Sequence, residues 1–538
     1  MHTPSFHPAD WVVLCLYFVA TMGIGAFFYR KTRNTEGFTA ANHALPGWVC
    51  GLSIFATFLS SISYLALPGK SFAGNWNPFV FSLSIPLVTW IAVRWFLPYY
   101  RNSGQVSAYA ALETRFGVWA RVYASVFYLL TQIARIAVVL YLMALPMQVL
   151  FGWDIQVVLV VTGICVTFYA FIGGILAVIW TDAIQAIVLM AGAVLCLGLM
   201  LANVPGGLPA VIEVANSGDK FSLGDFGWST TKPTFWVVLV YGIVINLQNF
   251  GIDQSYVQRY VASSSDREAK KSLWLGGLLY VPVSALFFLI GTTLYVYYGA
   301  DRPQVSDRIA AVENIVARQR ALQSGLDEGT PEFDAFQSET AVDLDLADIG
   351  DRVFPHFIGT SLPPGMTGLL IAAVFAAAMS TVSTSLNSSA TLIMSDFYRR
   401  FVSPRASEQQ QMRVLYAGTI LWGILGTLLS LVLVRLTQSA LDMWWTLSGI
   451  FGGGMCGLFL LGMISRRVQN TAAVAGVVAG VSVILWLSIP QLTAAPSAAD
   501  TDDRLHAFLI PVIGTTTIIL VGFAVGIFFK GTPRNEAT

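Results

Sequence analysis

The chain has 538 residues, 55% of them hydrophobic and only 11% charged, with 30 Lys and Arg balanced by 30 Asp and Glu. That leaves too little polar surface for a water-soluble globule of this length, so the lipid bilayer must act as its solvent, and no nucleic-acid partner is expected. The five cysteines (Cys15, Cys50, Cys165, Cys196, Cys456) lie in apolar stretches without CxxC spacing, so neither a zinc site nor a disulfide framework is indicated.

A membrane helix needs about 20 apolar residues. Thirteen stretches meet that requirement: 10-30, 47-69, 77-99, 120-150, 154-177, 181-203, 234-254, 272-298, 362-398, 411-435, 441-463, 470-490 and 506-530. The first is followed by Arg30, Lys31 and Arg33, the reverse of a signal peptide with a basic leading region, so it is expected to stay in the mature protein. Alternating the loops from an external N-terminus puts 18 of the 30 cations in the cytoplasm, Arg101, Arg121, Arg259, Arg267, Lys270 and Lys271 among them. The opposite side receives the segment 299-361, in which 12 Asp and Glu outnumber 5 Arg. The positive-inside bias and the count of thirteen thus agree on a multi-pass protein of the plasma (inner) membrane, with its C-terminus cytoplasmic. Segment 299-361 has partial helical periodicity (Ile309, Val312, Ile315, Val316) and reads as an external cap or a mobile insertion. The polar tail from Gly531 to Thr538 is expected to be disordered.

Polar residues at membrane depth mark either ion and substrate pathways or buried structural pairs. The second span reads as interrupted, because Ala56-Thr57-Phe58-Leu59-Ser60-Ser61-Ile62-Ser63 places four hydroxyls at mid-membrane. In the fourth, Arg135 is the only charge between Arg121 and Asp154. It lies about 21 Å of helical rise from the nearer arginine, too deep for simple snorkelling. Its planar fork suits a carboxylate, and a buried pair with Asp182 or Asp253 suits it equally. Asp182 follows the Gly173-Gly174 pair and serves either as a first-turn helix residue or as an ion ligand. The seventh span is broken by Asn246, Gln248, Asn249, Gly251 and Asp253. In the ninth, the twelve residues Ser380 to Thr391 contain eight hydroxyls, and Ala377, Ser380, Thr381, Thr384 and Ser388 fall on one helical stripe. Such a stripe either ligates a hard cation such as sodium or lets membrane helices pack closely. Discontinuous helices at matching places in two halves point to a transporter site at the bilayer midplane.

Three motifs carry a resemblance through nearly all of residues 10-530: Phe171-Ile172-Gly173-Gly174 with Ala177 to Gln185, Asp253-Gln254-Ser255-Tyr256-Val257-Gln258-Arg259-Tyr260, and the Ser380 to Thr391 run. In this order they resemble the solute:sodium symporter family, and most of all its sialic acid transporters. The resemblance implies an all-α, leucine-transporter-like five-plus-five inverted repeat. It divides the chain into an extra helix 10-30, a first repeat 47-203, a second repeat 234-463 and two extra helices in 470-530. It implies a main sodium site from the carbonyls of Ala56, Leu59 and Ala377 with the hydroxyls of Ser380 and Thr381. A second sodium site would use Asp182, Ser380, Ser383 and Thr384, with Na+ as the coupling ion and two ions per cycle. The substrate would bind Arg135 through a carboxylate, with Ser60 and Ser63 as hydroxyl donors. Phe58 and Ser82 stand where the sialic acid transporters carry a hydroxyl residue and a glutamine. N-acetylneuraminate is the favoured substrate, and another sugar acid, a monocarboxylate or a neutral sugar is the alternative. No enzyme is expected, since all five histidines lie in or near loops. No appended cytoplasmic domain suggests a sensor, and broken helices suit occlusion better than a channel.

Overall fold

The computed structural model describes residues 6–29, 34–301, 306–434, 440–465, 468–493 and 505–528, so the basic cluster at 30–33 and the tail from 531 fall outside it. The described residues are helical throughout, with one isolated β-bridge between Leu45 and Ser263. Helix runs through each of the thirteen expected stretches where it is described. Among the described residues ten helices are long and apolar enough to span a bilayer, and the bent pair Gly47–Phe58 and Ser63–Ala73 brings this to eleven rather than thirteen. Pro8–Ile24 and Ile155–Phe168 are apolar but shorter than a standard span.

Two helices break where polar residues interrupt the apolar runs. Gly47–Phe58 ends at Leu59, whose φ of −86° and ψ of 86° leave the helical region, and the chain resumes at an angle of 62°. Phe235–Ile252 ends at Asp253, whose extended backbone starts a second half-helix, Gln254–Ala262. The Asp253 carboxylate accepts the amide of Ser255 at 2.8 Å and so caps that half-helix. A third break explains the glycine pair of the motif. Gly174 has φ +54°, which separates the span beginning at Ile155 from the one ending at Asn203.

Small residues let the helices approach closely. A Cβ on Gly163 would lie 2.2 Å from Thr427 Oγ1, and one on Gly423 2.1 Å from Thr167 Oγ1, a reciprocal contact between two spans. The short helix Thr35–Ala40 seals one end of the bundle. Its Phe38 is fully buried among Ala390, Met394, Met412 and Leu415 and rests against Gly174. Gln258 Nε2 donates to Thr39 O at 3.2 Å, and Asn387 Nδ2 to Phe38 O at 3.3 Å. At the other end, the described residues of 299-361 form a helical cap, with Asp307–Gln323, Pro331–Asp343 and Leu346–Thr360. Of the four periodic residues, Ile309, Val312 and Val316 are buried, while Ile315 is only half-buried. Burial pushes the His356 imidazole down to about 4, so at neutral pH it is uncharged, with its Nδ1 hydrogen-bonded to Tyr298 OH at 2.7 Å.

Arg259, assigned to a loop on the positive-inside count, instead lies in half-helix Gln254–Ala262 and is fully buried. The correction has a physical cause. The helix restarts after Asp253 inside the bundle, so its cation faces protein and needs an acid partner.

Gly174→Ala should lower the melting temperature of the purified protein by several degrees. It adds a Cβ 3.0 Å from Phe38 Cδ2 and puts a side chain at positive φ, where the strain is about 1–2 kcal/mol. Gly198→Ala, with nothing within 4 Å, is the matched control and should not lower it. Equal melting of the two variants would show that the Gly174 turn is not constrained.

Candidate functional site

The breaks at Leu59 and Asp253 flank a cavity of about 80 Å³. All five substrate candidates, Phe58, Ser60, Ser63, Ser82 and Arg135, line it, together with Thr57, Tyr241, Asn249, Tyr256, Tyr280, Thr381 and Trp444. The elements that bring them together are the first broken helix, the helices running from 77 to 103 and from 118 to 151, and the second broken helix.

Of the two acids the sequence offered as partners for Arg135, the structure places Asp253 beside it. Arg135 is 7% exposed, its Nη1 lies 3.6 Å from Asp253 Oδ2, and its guanidinium sits 5.1 Å from the Trp444 ring. The 3.6 Å separation is an ion pair without a hydrogen bond, and Nη1 is buried with no hydrogen-bond partner. Asp253 is meanwhile held from its other oxygen by Ser255 and, at 3.3 Å, by Tyr128 OH, which also donates to Ser388 Oγ at 2.8 Å. A positive fork with an unused donor therefore faces a cavity whose other polar groups are largely committed. Ser63 Oγ is 3.4 Å from Tyr280 OH, and Ser82 Oγ is 2.9 Å from Ser284 Oγ. Phe58 fills space between them, with ring centroids 4.3 Å from Tyr280 and 5.6 Å from Phe250.

The sodium candidates gather where half-helix Gly47–Phe58 meets helix Met366–Leu392. Ala56 lies in the last turn before the break, where carbonyls lack intrahelical donors. Thr381 Oγ1 donates to Ala377 O at 3.1 Å, which leaves its lone pairs for a cation, and Ser380 is fully buried beside Asp182. Asp182 is fully buried, eight residues beyond Gly174, so it is not a first-turn residue. Its Oδ2 accepts Arg259 Nη2 at 2.8 Å and Ser53 Oγ at 2.6 Å. Thr384 Oγ1 also accepts from Arg259 Nη2, at 2.6 Å, and Ser383 Oγ donates to Ser380 O at 3.2 Å. Ser380 and Asp182 are both fully buried, and the Ser380 hydroxyl stands within hydrogen-bonding reach of the Asp182 carboxylate, a pair of oxygens of the kind a hard cation takes.

Reading the sequence missed Ser53, Tyr128, Tyr280, Trp444 and the role of Arg259. The one available signal was Arg259 within the Asp253 motif, two helical turns past a span break.

A profile of the sodium:solute symporter family matches residues 38–321 and 338–480. The sodium/sialic acid symporter NanT of Aliivibrio fischeri is 32% identical over 542 residues, covering 100% of this chain and 96% of that protein. The sodium-coupled monocarboxylate transporter 2 of Mus musculus is 28% identical, covering 100% and 86%. A solved substrate-bound outward-open state of a Na+-coupled sialic acid symporter superposes with a TM-score of 0.82 at 29% identity, covering 98% of this chain and 99% of that one. Mhp1, a nucleobase-cation-symport-1 family transporter, shares the fold at a TM-score of 0.53 and 15% identity. With its broken helices and its leucine-transporter-like fold, this chain belongs to the sodium:solute symporter family, whose coupling ion is Na+.

Proposed function

We propose that this protein carries an acidic sugar of the sialic acid type inward together with sodium, and that Arg135 binds the sugar carboxylate. The single observation that carries the reading is the buried Nη1 of Arg135, ion-paired with Asp253 but making no hydrogen bond, at the wall of a cavity between two broken helices. The sodium/sialic acid symporter named above supports the same substrate class. Sodium binds first, through Ala56, Leu59, Ala377, Ser380 and Thr381, with a second ion at Asp182, Ser380, Ser383 and Thr384. Binding fixes the broken helix, the substrate closes the cavity, and both cross together between repeats 47-203 and 234-463. The N-terminus is external and the C-terminus cytoplasmic, in the inner membrane. Each sodium crossing the full field gains about 2.3 kcal/mol per 100 mV, so two contribute about 4.6 kcal/mol toward uphill uptake of an anion.

One observation favours a second reading, symport of a short monocarboxylate. The cavity of about 80 Å³, narrowed by Phe58, is well below the roughly 300 Å³ at which pockets for larger ligands begin. A sugar acid enters only if Phe58 and Tyr280 withdraw.

Uptake of radiolabelled N-acetylneuraminate into proteoliposomes should rise severalfold when an inward sodium gradient is imposed. Sodium-driven lactate uptake with no N-acetylneuraminate uptake selects the second reading, and neither solute moving with sodium rejects both. Arg135→Lys keeps the charge but loses the fork and should weaken substrate binding by about tenfold, and Arg135→Gln by more. Normal binding with an early melt in both variants would instead assign Arg135 to the Asp253 pair alone. Ser380→Ala and Thr381→Ala should each raise the sodium concentration for half-maximal uptake by about tenfold or more, because each removes a ligand from a site with few. Unchanged sodium affinity in both would remove the main site from these residues.

A further inference from the structure

We propose that a groove between half-helix Gly47–Phe58 and helix Asp266–Tyr297 binds the phosphate headgroup of an anionic phospholipid. The groove, of about 630 Å³, is walled by Arg267, Lys270 and Lys271, by the indoles of Trp48 and Trp274, and by Leu275, with Glu268 at its edge. Residues 267, 270, 271, 274, 275 and 278 recur at intervals of three and four and so share one helix face. Along that face the chemistry changes with depth. The three exposed cations occupy the first two turns, Trp274 lies about 4.5 Å of helical rise further in, and Leu275 and Leu278 follow, 36% and 46% exposed. Trp48, 51% exposed, faces them from the other helix. A phospholipid presents the same order: a phosphate at the surface, esters at the level of interfacial indoles, and acyl chains below.

The charge balance of the groove is incomplete without a ligand. Cations in the opening turns of a helix face the positive end of its dipole, an unfavourable placement that an anion offsets. The nearby acids are already engaged. Glu268 Oε2 accepts the amide of Gly47 at 2.7 Å, its Oε1 accepts Lys271 Nζ at 2.6 Å, and Asp266 pairs with Arg101. Among the described residues Arg267 and Lys270 make no ion pair. A free phosphate would meet these two cations but leave the indole and leucine walls bare, so a lipid fits the whole surface. The topology proposed above puts this end of the bundle at the cytoplasmic leaflet, where anionic lipids give the surface its negative potential. A lipid there braces the start of the broken helix against its neighbour.

The test uses the full-length protein in detergent, titrated with phosphatidylglycerol, phosphatidylcholine or inorganic phosphate, and reads melting temperature and lipid adducts by native mass spectrometry. Phosphatidylglycerol is expected to raise the melting temperature and to remain bound, whereas phosphatidylcholine and inorganic phosphate do neither. In the Arg267→Gln/Lys270→Gln double variant its apparent affinity should fall by roughly tenfold to thirtyfold, the loss for two juxtamembrane cations. Arg399→Gln/Arg413→Gln, the same charge change on exposed residues elsewhere, should leave it unchanged. Equal losses in the two double variants, protection by phosphate alone, or no preference for phosphatidylglycerol over phosphatidylcholine would each overturn the assignment.

Discussion

A guanidinium and a carboxylate with no solvent exposure meet at 2.8 Å inside the bundle, Arg259 with Asp182, and the rest of the structure is arranged around them. Ser53 donates to the same carboxylate oxygen, Arg259 Nη1 caps the carbonyl of Ser255, and Thr384 accepts the remaining donor. Four segments that are far apart in the chain are joined at this point: the first half-helix, the span after Gly174, the half-helix after Asp253, and the hydroxyl-rich span. Removing one partner of such a pair strands a buried charge, which costs about 3–5 kcal/mol, whereas the intact pair is close to neutral for stability. Its effect is therefore on arrangement more than on strength. It aligns the stripe from Ser380 to Thr384 against the broken helix.

The cavity follows from the same constraint applied to backbone. Lipid offers no hydrogen bonds, so helices break only where protein or water can take the freed groups. Both breaks face the bundle interior. Around them the side chains divide into paired hydroxyls, an aromatic wall, and the Arg135 fork above Trp444. Asp253 sits close enough to hold the guanidinium in place and too far to occupy it with a hydrogen bond.

Cations at the end of the bundle that Thr35–Ala40 covers serve three different purposes, which a loop count does not separate. Arg121 bridges Glu113 at 2.9 Å and the buried Asp396 at 2.6 Å, joining the helix from 118 to the end of the hydroxyl-rich span. Arg101 caps the carbonyls of Tyr260 and Ser263 at the end of the second half-helix. Arg267 and Lys270 remain turned to the interface.

What the sequence by itself determined are features written along one dimension. Apolar runs of span length located the helices, and polar residues inside two of them located the breaks at Leu59 and Asp253. The Gly173-Gly174 pair located the turn at +54°, and the period of Ile309, Val312, Ile315 and Val316 located, Ile315 apart, the buried face of the helical cap. The family itself was legible, because its motifs sit at those breaks. Partner choice was not legible. Asp182 fitted a helix terminus as well as an ion site until the fold brought Arg259, 77 residues away, and Ser53, 129 residues away, to the same oxygen. Arg135 had two candidate acid partners, of which the fold chose Asp253, and Ser63 read as an open donor although Tyr280 stands beside it. These contacts depend on how each helix is rotated about its axis and where it crosses its neighbours. That is set by the interlocking of all the helices together, of small residues such as Gly163 and Gly423 against their threonines, and leaves no periodic signal within any single span.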